Sequence, residues 1–182
     1  MKIYIILAEG FEMIEALTTV DVLRRANLDI VTMSCNDKLK VTSSHHVTIV
    51  ADHIFDLDLL NDADVIILPG GSIGTENLGN NQLLLSVLKS HHAANKTLAA
   101  ICAAPSILAK LGILENVKAS SHPAYENELI RYGALYHAEE TIVYENIITS
   151  YGMAGSLQFA LAILKTLVEP EVVAEVKAGI VF

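Results

Sequence analysis

Short apolar runs separated by longer amphipathic stretches alternate along the chain from the second residue almost to the last. Residues 2–8, KIYIILA, form an apolar β-branched run that breaks at Glu9 and Gly10 with no small-residue cleavage site behind it, so the run reads as a first strand and not as a signal peptide. FEMIEALTTVDVLRRAN follows with helical spacing, placing Met13, Leu17 and Val20 on one face. LDIVTMSC is a second strand, and the Val/Thr/Ser-rich stretch from Lys38 to Val50 reads as a hairpin appended to the sheet. DVIILPGG is a strand that stops in a Gly-Gly turn, with helical segments from about Ile73 to Ala94. TLAAIC is the fourth core strand, and Ala104 to Leu111 the helix after it. VKASSHP reads as another strand halted by Pro123, AYENELIRYG as a short helix closed by Gly133, and TIVYENIITS as a strand of antiparallel character. Met153 to Val168 is a long amphipathic helix, and Pro170 opens a last one.

Strands alternating with helices of this length predict parallel βαβ units with helices on both faces of the sheet. The expectation is one α/β domain over residues 1–182, doubly wound around a mostly parallel sheet. A length of 182 residues suffices for one substantial core.

Composition narrows the function. No apolar run approaches the roughly 20 residues of a membrane span, and a cytoplasmic location is expected. A formal net charge of −9 with no basic cluster beyond Arg24-Arg25 argues against nucleic-acid binding as a main task. Two cysteines, Cys35 and Cys102, cannot build a disulfide framework or a four-cysteine zinc site. Cys35 reads as incidental, or as a secondary oxidation site. His45-His46 and His91-His92 are adjacent pairs, which do not share a helix face, so they are read as surface residues and no metal is expected.

In an open parallel sheet, sites gather beyond the carboxyl ends of the strands. Four features fall there: Glu15 past the first strand, Gly70-Gly71, Cys102 and His122. Cys102, in A-A-I-C-A-A-P-S, sits between an apolar strand and a helix as in a nucleophile elbow, and the following helix N-terminus favours its thiolate. The alternative is an inert buried thiol. Glu15 between Ile14 and Ala16 is either a buried carboxyl with a raised pKa or, as expected for Glu12, a solvated residue near a helix start. Gly70-Gly71 either offers N–H groups to an oxyanion or serves only the turn. His122 is a base near Cys102 or a hydrogen-bonded structural residue. GGSIG has neither the G-x-G-x-x-G nor the Walker spacing. A flavodoxin-type phosphate cradle would face Glu9, Glu12 and Glu15, which repel anions, so no cofactor is expected.

Together, I-L-A-E-G-F-E-M-I-E, D-V-L-R-R-A, V-I-I-L-P-G-G, A-A-I-C-A-A-P, S-S-H-P, T-S-Y-G-M-A-G-S, F-A-L-A-I-L and V-A-E-V-K-A resemble the ThiJ/PfpI superfamily, in its DJ-one/YajL-like branch, over essentially the whole chain. The resemblance implies a flavodoxin-like fold of the class I glutamine amidotransferase-like type and a homodimer with the first helix at its interface. It further implies that Cys102 is an oxidation-prone nucleophile bonded to the Glu15 carboxyl, that Gly71 and Ala103 supply backbone N–H groups, and that His122 lies close by. Two departures stand out: Ala104 replaces a glycine common after the cysteine, and Tyr151 and His45 stand where some relatives are basic.

The function this implies is cofactor-free, cysteine-dependent handling of reactive aldehydes, either glyoxalase III-type conversion of methylglyoxal to lactate or deglycation of protein and nucleotide adducts, protective in oxidative and carbonyl stress. A non-enzymatic redox sensor or chaperone acting through Cys102 oxidation is the alternative. A PfpI-type peptidase or amidase, which needs a well-placed Cys–His pair, is a third.

Overall fold

The computed structural model describes residues 1–182. In chain order the elements are β1 (Ile3–Leu7), α1 (Met13–Arg25), β2 (Ile30–Ser34), β3 (Lys40–Thr42), β4 (Thr48–Val50), α2 (Leu57–Asn61), β5 (Val65–Leu68), α3 (Ser72–Asn80), α4 (Gln82–Ala93), β6 (Thr97–Ile101), α5 (Pro105–Lys110), β7 (Lys118–Ala119), α6 (Glu126–Arg131), β8 (Leu135–Tyr136), β9 (Thr141–Tyr144), β10 (Ile147–Ser150), α7 (Ser156–Leu167) and α8 (Pro170–Gly179). Six strands form the main sheet in the order β2-β1-β5-β6-β10-β9. All its pairings are parallel except β9 with β10, so the first five strands have flavodoxin-like order and β9 is an antiparallel edge.

Period-two alternation in fully buried strands sends side chains to two cores. Ile3, Ile5 and Leu7 enter one cluster of 23 buried residues with α1, α7 and α8, whereas Tyr4, Ile6 and Ala8 enter another of 24 with the helices on the opposite face. Cores of near-equal size on both faces confirm the doubly wound architecture. Phe159, on α7, is fully buried in the first of them.

Several local expectations differ from what forms. The Lys38–Val50 hairpin does not join the main sheet: β3 and β4 pair only with each other, and isolated bridges from Phe11 to Ser43 and from Met33 to His53 attach them. VKASSHP pairs over only two residues, with β8, because the next backbone donors leave the ladder. The Ser120 N–H bonds the Thr149 hydroxyl at 2.9 Å, and the His122 N–H bonds the Cys102 carbonyl at 2.8 Å. TIVYENIITS is a hairpin of two strands, β9 and β10, and β10 runs parallel to β6.

On α1 the buried stripe is Glu15, Ala16, Thr19, Val20, Val22 and Leu23, one residue round from the expected face, and Leu17 is exposed. His91 is buried as well, with Nε2 3.1 Å from the Thr97 carbonyl oxygen, and burial holds its pKa below the usual histidine value. Neither His91 nor its half-buried neighbour His92 is the surface residue that adjacency suggested.

Phe159→Ala should lower the unfolding free energy by about 3–5 kcal/mol, the cost of a large cavity in a close-packed core, read from urea denaturation with an unchanged m-value.

Candidate active site at the Cys102 elbow

β1 and β5 are neighbours at the point where strand order reverses, and β6 follows beside them. Their carboxyl ends deliver Gly10–Glu15, Gly70-Gly71 and Cys102 to one crevice. Cys102 has φ of 65°, a left-handed conformation rare for a residue with a side chain, and this is the strained strand-to-helix turn of a nucleophile elbow. Its N–H bonds the Ser150 carbonyl at 2.9 Å and its own carbonyl accepts from His122, so both neighbouring segments hold the turn.

Glu15 is 1% exposed. Its Oε2 accepts the Gly70 N–H at 2.7 Å, whereas buried Oε1 has no hydrogen-bond partner. The Cys102 thiol lies beside the carboxyl, and the two side chains perturb each other's titration by charge and through a hydrogen bond. Burial, with a smaller push from the Glu12 charge, raises the Glu15 carboxyl to about 7 against the opposing Gly70 and Cys102 hydrogen bonds.

The thiol is not depressed as the helix N-terminus suggested. Burial, then the Glu15 charge and its hydrogen bond, push Cys102 up to about 12, outweighing the Gly71 and Ala103 N–H groups that bond the sulfur. Burial and mutual repulsion oppose a second negative charge, so the thiol keeps its proton when Glu15 ionises.

Gly70 and Gly71 divide the work that was assigned to them jointly. The Gly70 N–H is used by Glu15, and only the Gly71 N–H faces the sulfur. A Cβ on Gly70 would lie 2.6 Å from the Cys102 Cβ and 2.7 Å from Glu15 Oε2, so the close approach that orients the carboxyl requires glycine there.

His122 reaches the same cleft, of about 650 Å³, lined also by Glu12, Ser44, His45, Gly71 and Cys102. Its Nδ1 accepts the Ala124 N–H at 3.2 Å, which leaves Nε2 carrying the proton in the neutral ring. His122 is therefore placed as a hydrogen-bond donor to a bound group, and its ring does not bond the sulfur as a base would. Gly152, which the sequence reading passed over, lies between them: a Cβ there would be 3.8 Å from both Cys102 Sγ and His122 Cδ2. Its position in T-S-Y-G-M was the signal in the sequence, and the structure adds a φ of 150°, which favours glycine.

Glu12 was also misread. Its side chain is 14% exposed, accepts the Ser44 hydroxyl at 3.0 Å and lies 3.7 Å from His45 Nδ1. The β3–β4 turn, which docks on Phe11 through the Ser44 N–H, encloses it. Ala104 is fully buried in the core beside α5, so its methyl group does not line the cleft, and Tyr151 packs against Gly155. Cys35 is half-buried with Asn81 Nδ2 3.4 Å from its sulfur, and burial raises its pKa. No group of three or more His, Cys, Asp or Glu side chains is arranged to hold a metal ion, and no helix is long and apolar enough to cross a membrane.

Residues 1–166 match the DJ-1/PfpI family. The chain belongs to this family. It is 36% identical over 165 residues to Protein DJ-1 homolog B of Arabidopsis thaliana, covering 90% of this chain but only 37% of that longer protein. The Parkinson disease protein 7 homolog of Danio rerio is 34% identical over 97% of this chain and 95% of its own length. The oxidized DJ-1 of Toxoplasma gondii superposes with a TM-score of 0.90 at 30% identity, covering 99% of this chain and 97% of that one. The fold of this DJ-1/PfpI protein is thus that of its solved relatives.

The folded state binds a proton at Glu15 more tightly than the unfolded chain, so the contribution of this group is present below about pH 4.5 and is lost as pH rises towards 7. Glu15→Gln should remove that dependence, gaining about 3 kcal/mol relative to wild type between those limits in paired denaturation curves. It should also lower the thiol pKa, because the neighbouring charge that opposes thiolate is gone, moving the midpoint of Cys102 alkylation to lower pH.

Proposed function

We propose that the protein protects against reactive carbonyl compounds by cofactor-free conversion of small 2-oxoaldehydes to 2-hydroxy acids at Cys102. The observation that carries this reading is the buried Glu15–Cys102 pair, in which a carboxyl raised to about 7 sits against a thiol. A base with a pKa near neutrality is suited to moving protons between carbon and oxygen.

The thiol proton passes to Glu15 as the sulfur adds to the aldehyde carbon. A C–S bond forms, the carbonyl oxygen takes up a proton, and a hemithioacetal results. The Gly71 and Ala103 N–H groups near the sulfur, with the His122 Nε2–H, favour the oxyanion as it develops. Glu15, once deprotonated, removes the hydrogen of the former aldehyde carbon to give an enediol, and a proton returned to the neighbouring carbon gives a thioester. Water then cleaves the C–S bond, restoring the thiol and releasing the hydroxy acid. The aldehyde carbon is oxidised and the ketone carbon reduced within one molecule, so no external redox partner enters. Deglycation of a protein or nucleotide adduct would use the same thiol and elbow.

A redox role is a second reading, favoured by a specific observation: the same N–H groups and a protonated Glu15 could hold the oxygens of a Cys102 sulfinate, and the Toxoplasma relative is an oxidized protein. Family membership supports an oxidative-stress-related protective role under either reading. The peptidase alternative loses support because His122 is not bonded to the sulfur as a base. A homodimer through α1 is also proposed, supported by the exposed apolar Ile14 and Leu17 on that helix.

Lactate formed from methylglyoxal should fall to background in Cys102→Ser and drop by about 100-fold or more in Glu15→Gln, when lactate is measured enzymatically in a buffer without primary amines. Equal lactate in wild type and Cys102→Ser would overturn the enzymatic reading, and mass analysis of Cys102 after peroxide would then test the redox one.

A further inference from the structure

The Cys102 cleft carries a charge that the proposed chemistry does not use. Glu12 lines it together with Cys102 and His122, yet its carboxylate donates nothing to the steps above. Unlike an exposed glutamate, it is fixed: Ser44 donates to Oε2 at 3.0 Å, its own N–H bonds the Gly70 carbonyl at 3.0 Å, and Oε1 caps the first turn of α1. Its field reaches the inner carboxyl, since it raises Glu15.

No lysine or arginine lines this cleft. Lys110 lies in an adjoining cavity of about 360 Å³, which shares Ser72, Ile73 and Tyr125 with the cleft, and there it is paired to Glu128 at 2.8 Å and accompanied by Glu76. Tyr151 stands outside the cleft and offers no cation either. The only side chains of the cleft able to carry positive charge are His45, 3.7 Å from the Glu12 carboxylate, and His122. An approaching carboxylate or phosphate therefore meets the fixed charge of Glu12, and in a partly enclosed cleft such charges act more strongly than in bulk water.

We infer that Glu12 makes the mouth of the cleft a charge filter, admitting uncharged carbonyl compounds to Cys102 and excluding those that carry a carboxylate or phosphate. Glu12 is a specificity-determining residue in this scheme. As a statement about substrates the inference rests on the proposed function; as a statement about access to the thiol it stands alone.

Alkylation separates the two. Iodoacetamide and iodoacetate are close in size and react with thiols by the same displacement, but only the second is anionic. The ratio of their rates at Cys102, read by mass spectrometry and divided by the ratio for the urea-unfolded chain, isolates the filter. Native protein should favour iodoacetamide on the order of tenfold at low ionic strength. Glu12→Gln keeps the side-chain shape and a hydrogen-bond acceptor, and should bring the normalised ratio towards one. Added salt should do the same in the wild type. Glu171→Gln, an exposed position on α8 with the same change in net charge, should leave the ratio high; a fall there as large as in Glu12→Gln overturns the assignment to Glu12.

The same comparison applies to turnover, with 2-oxopentanal as the neutral 2-oxoaldehyde and 4,5-dioxovalerate as an anionic one. The kcat/KM ratio should favour the neutral compound and shrink in Glu12→Gln. A normalised alkylation ratio near one in native protein at low salt overturns the filter, whatever the turnover result. A large ratio without turnover of either aldehyde leaves the filter standing and overturns the aldehyde chemistry.

Discussion

The burial of the Glu15 carboxyl between the Gly70 N–H and the Cys102 thiol is the interaction on which the rest of the site depends. An ionised carboxyl at 1% exposure is costly unless each oxygen finds a partner. Oε2 finds one at 2.7 Å, and only because position 70 lacks a side chain. Oε1 has none. Burial and the unpartnered oxygen favour the protonated carboxyl, and a proton held there is what chemistry at a carbonyl can use.

That arrangement draws on stability elsewhere. The left-handed backbone at Cys102 costs on the order of 1–3 kcal/mol and persists only where surrounding structure fixes it. Here the Ser150 carbonyl holds the residue from β10, the His122 N–H holds it from the loop after β7, and two full cores clamp β6 between them. Strain and a raised carboxyl thus sit together at the carboxyl ends of the most deeply buried strands, where the fold tolerates both.

The solved relatives share the fold, and the side chains around the site are this chain's own. Ala104 turns its methyl group into the core, and His45 approaches Glu12 from the β3–β4 turn at 3.7 Å. The Ala104 methyl therefore stays out of the cleft, and the electrostatics of the approach are set by this chain's own residues. Access to Cys102 is set by Glu12 and by the turn that encloses it.

The sequence by itself determined the architecture. Apolar runs of four to seven residues alternating with helical periods admit little besides a doubly wound sheet, and strand ends at Glu15, Gly70-Gly71 and Cys102 follow from the run boundaries. The motif resemblance fixed the family for the same reason, since those residues cluster where backbone geometry permits few substitutes. Tertiary structure decided the protonation and the roles. The helix dipole at Cys102 is local and visible in sequence, but the burial and the Glu15 charge that overcome it come from segments far apart in the chain. Glu12 read as solvated because its enclosing turn, residues 43–47, lies some thirty positions away, and His122 stayed open between base and structural residue because its bond to Ala124 depends on a turn only the fold reveals. Periodicity reports which face of an element is apolar; it is silent on which polar groups a neighbouring element strips of water.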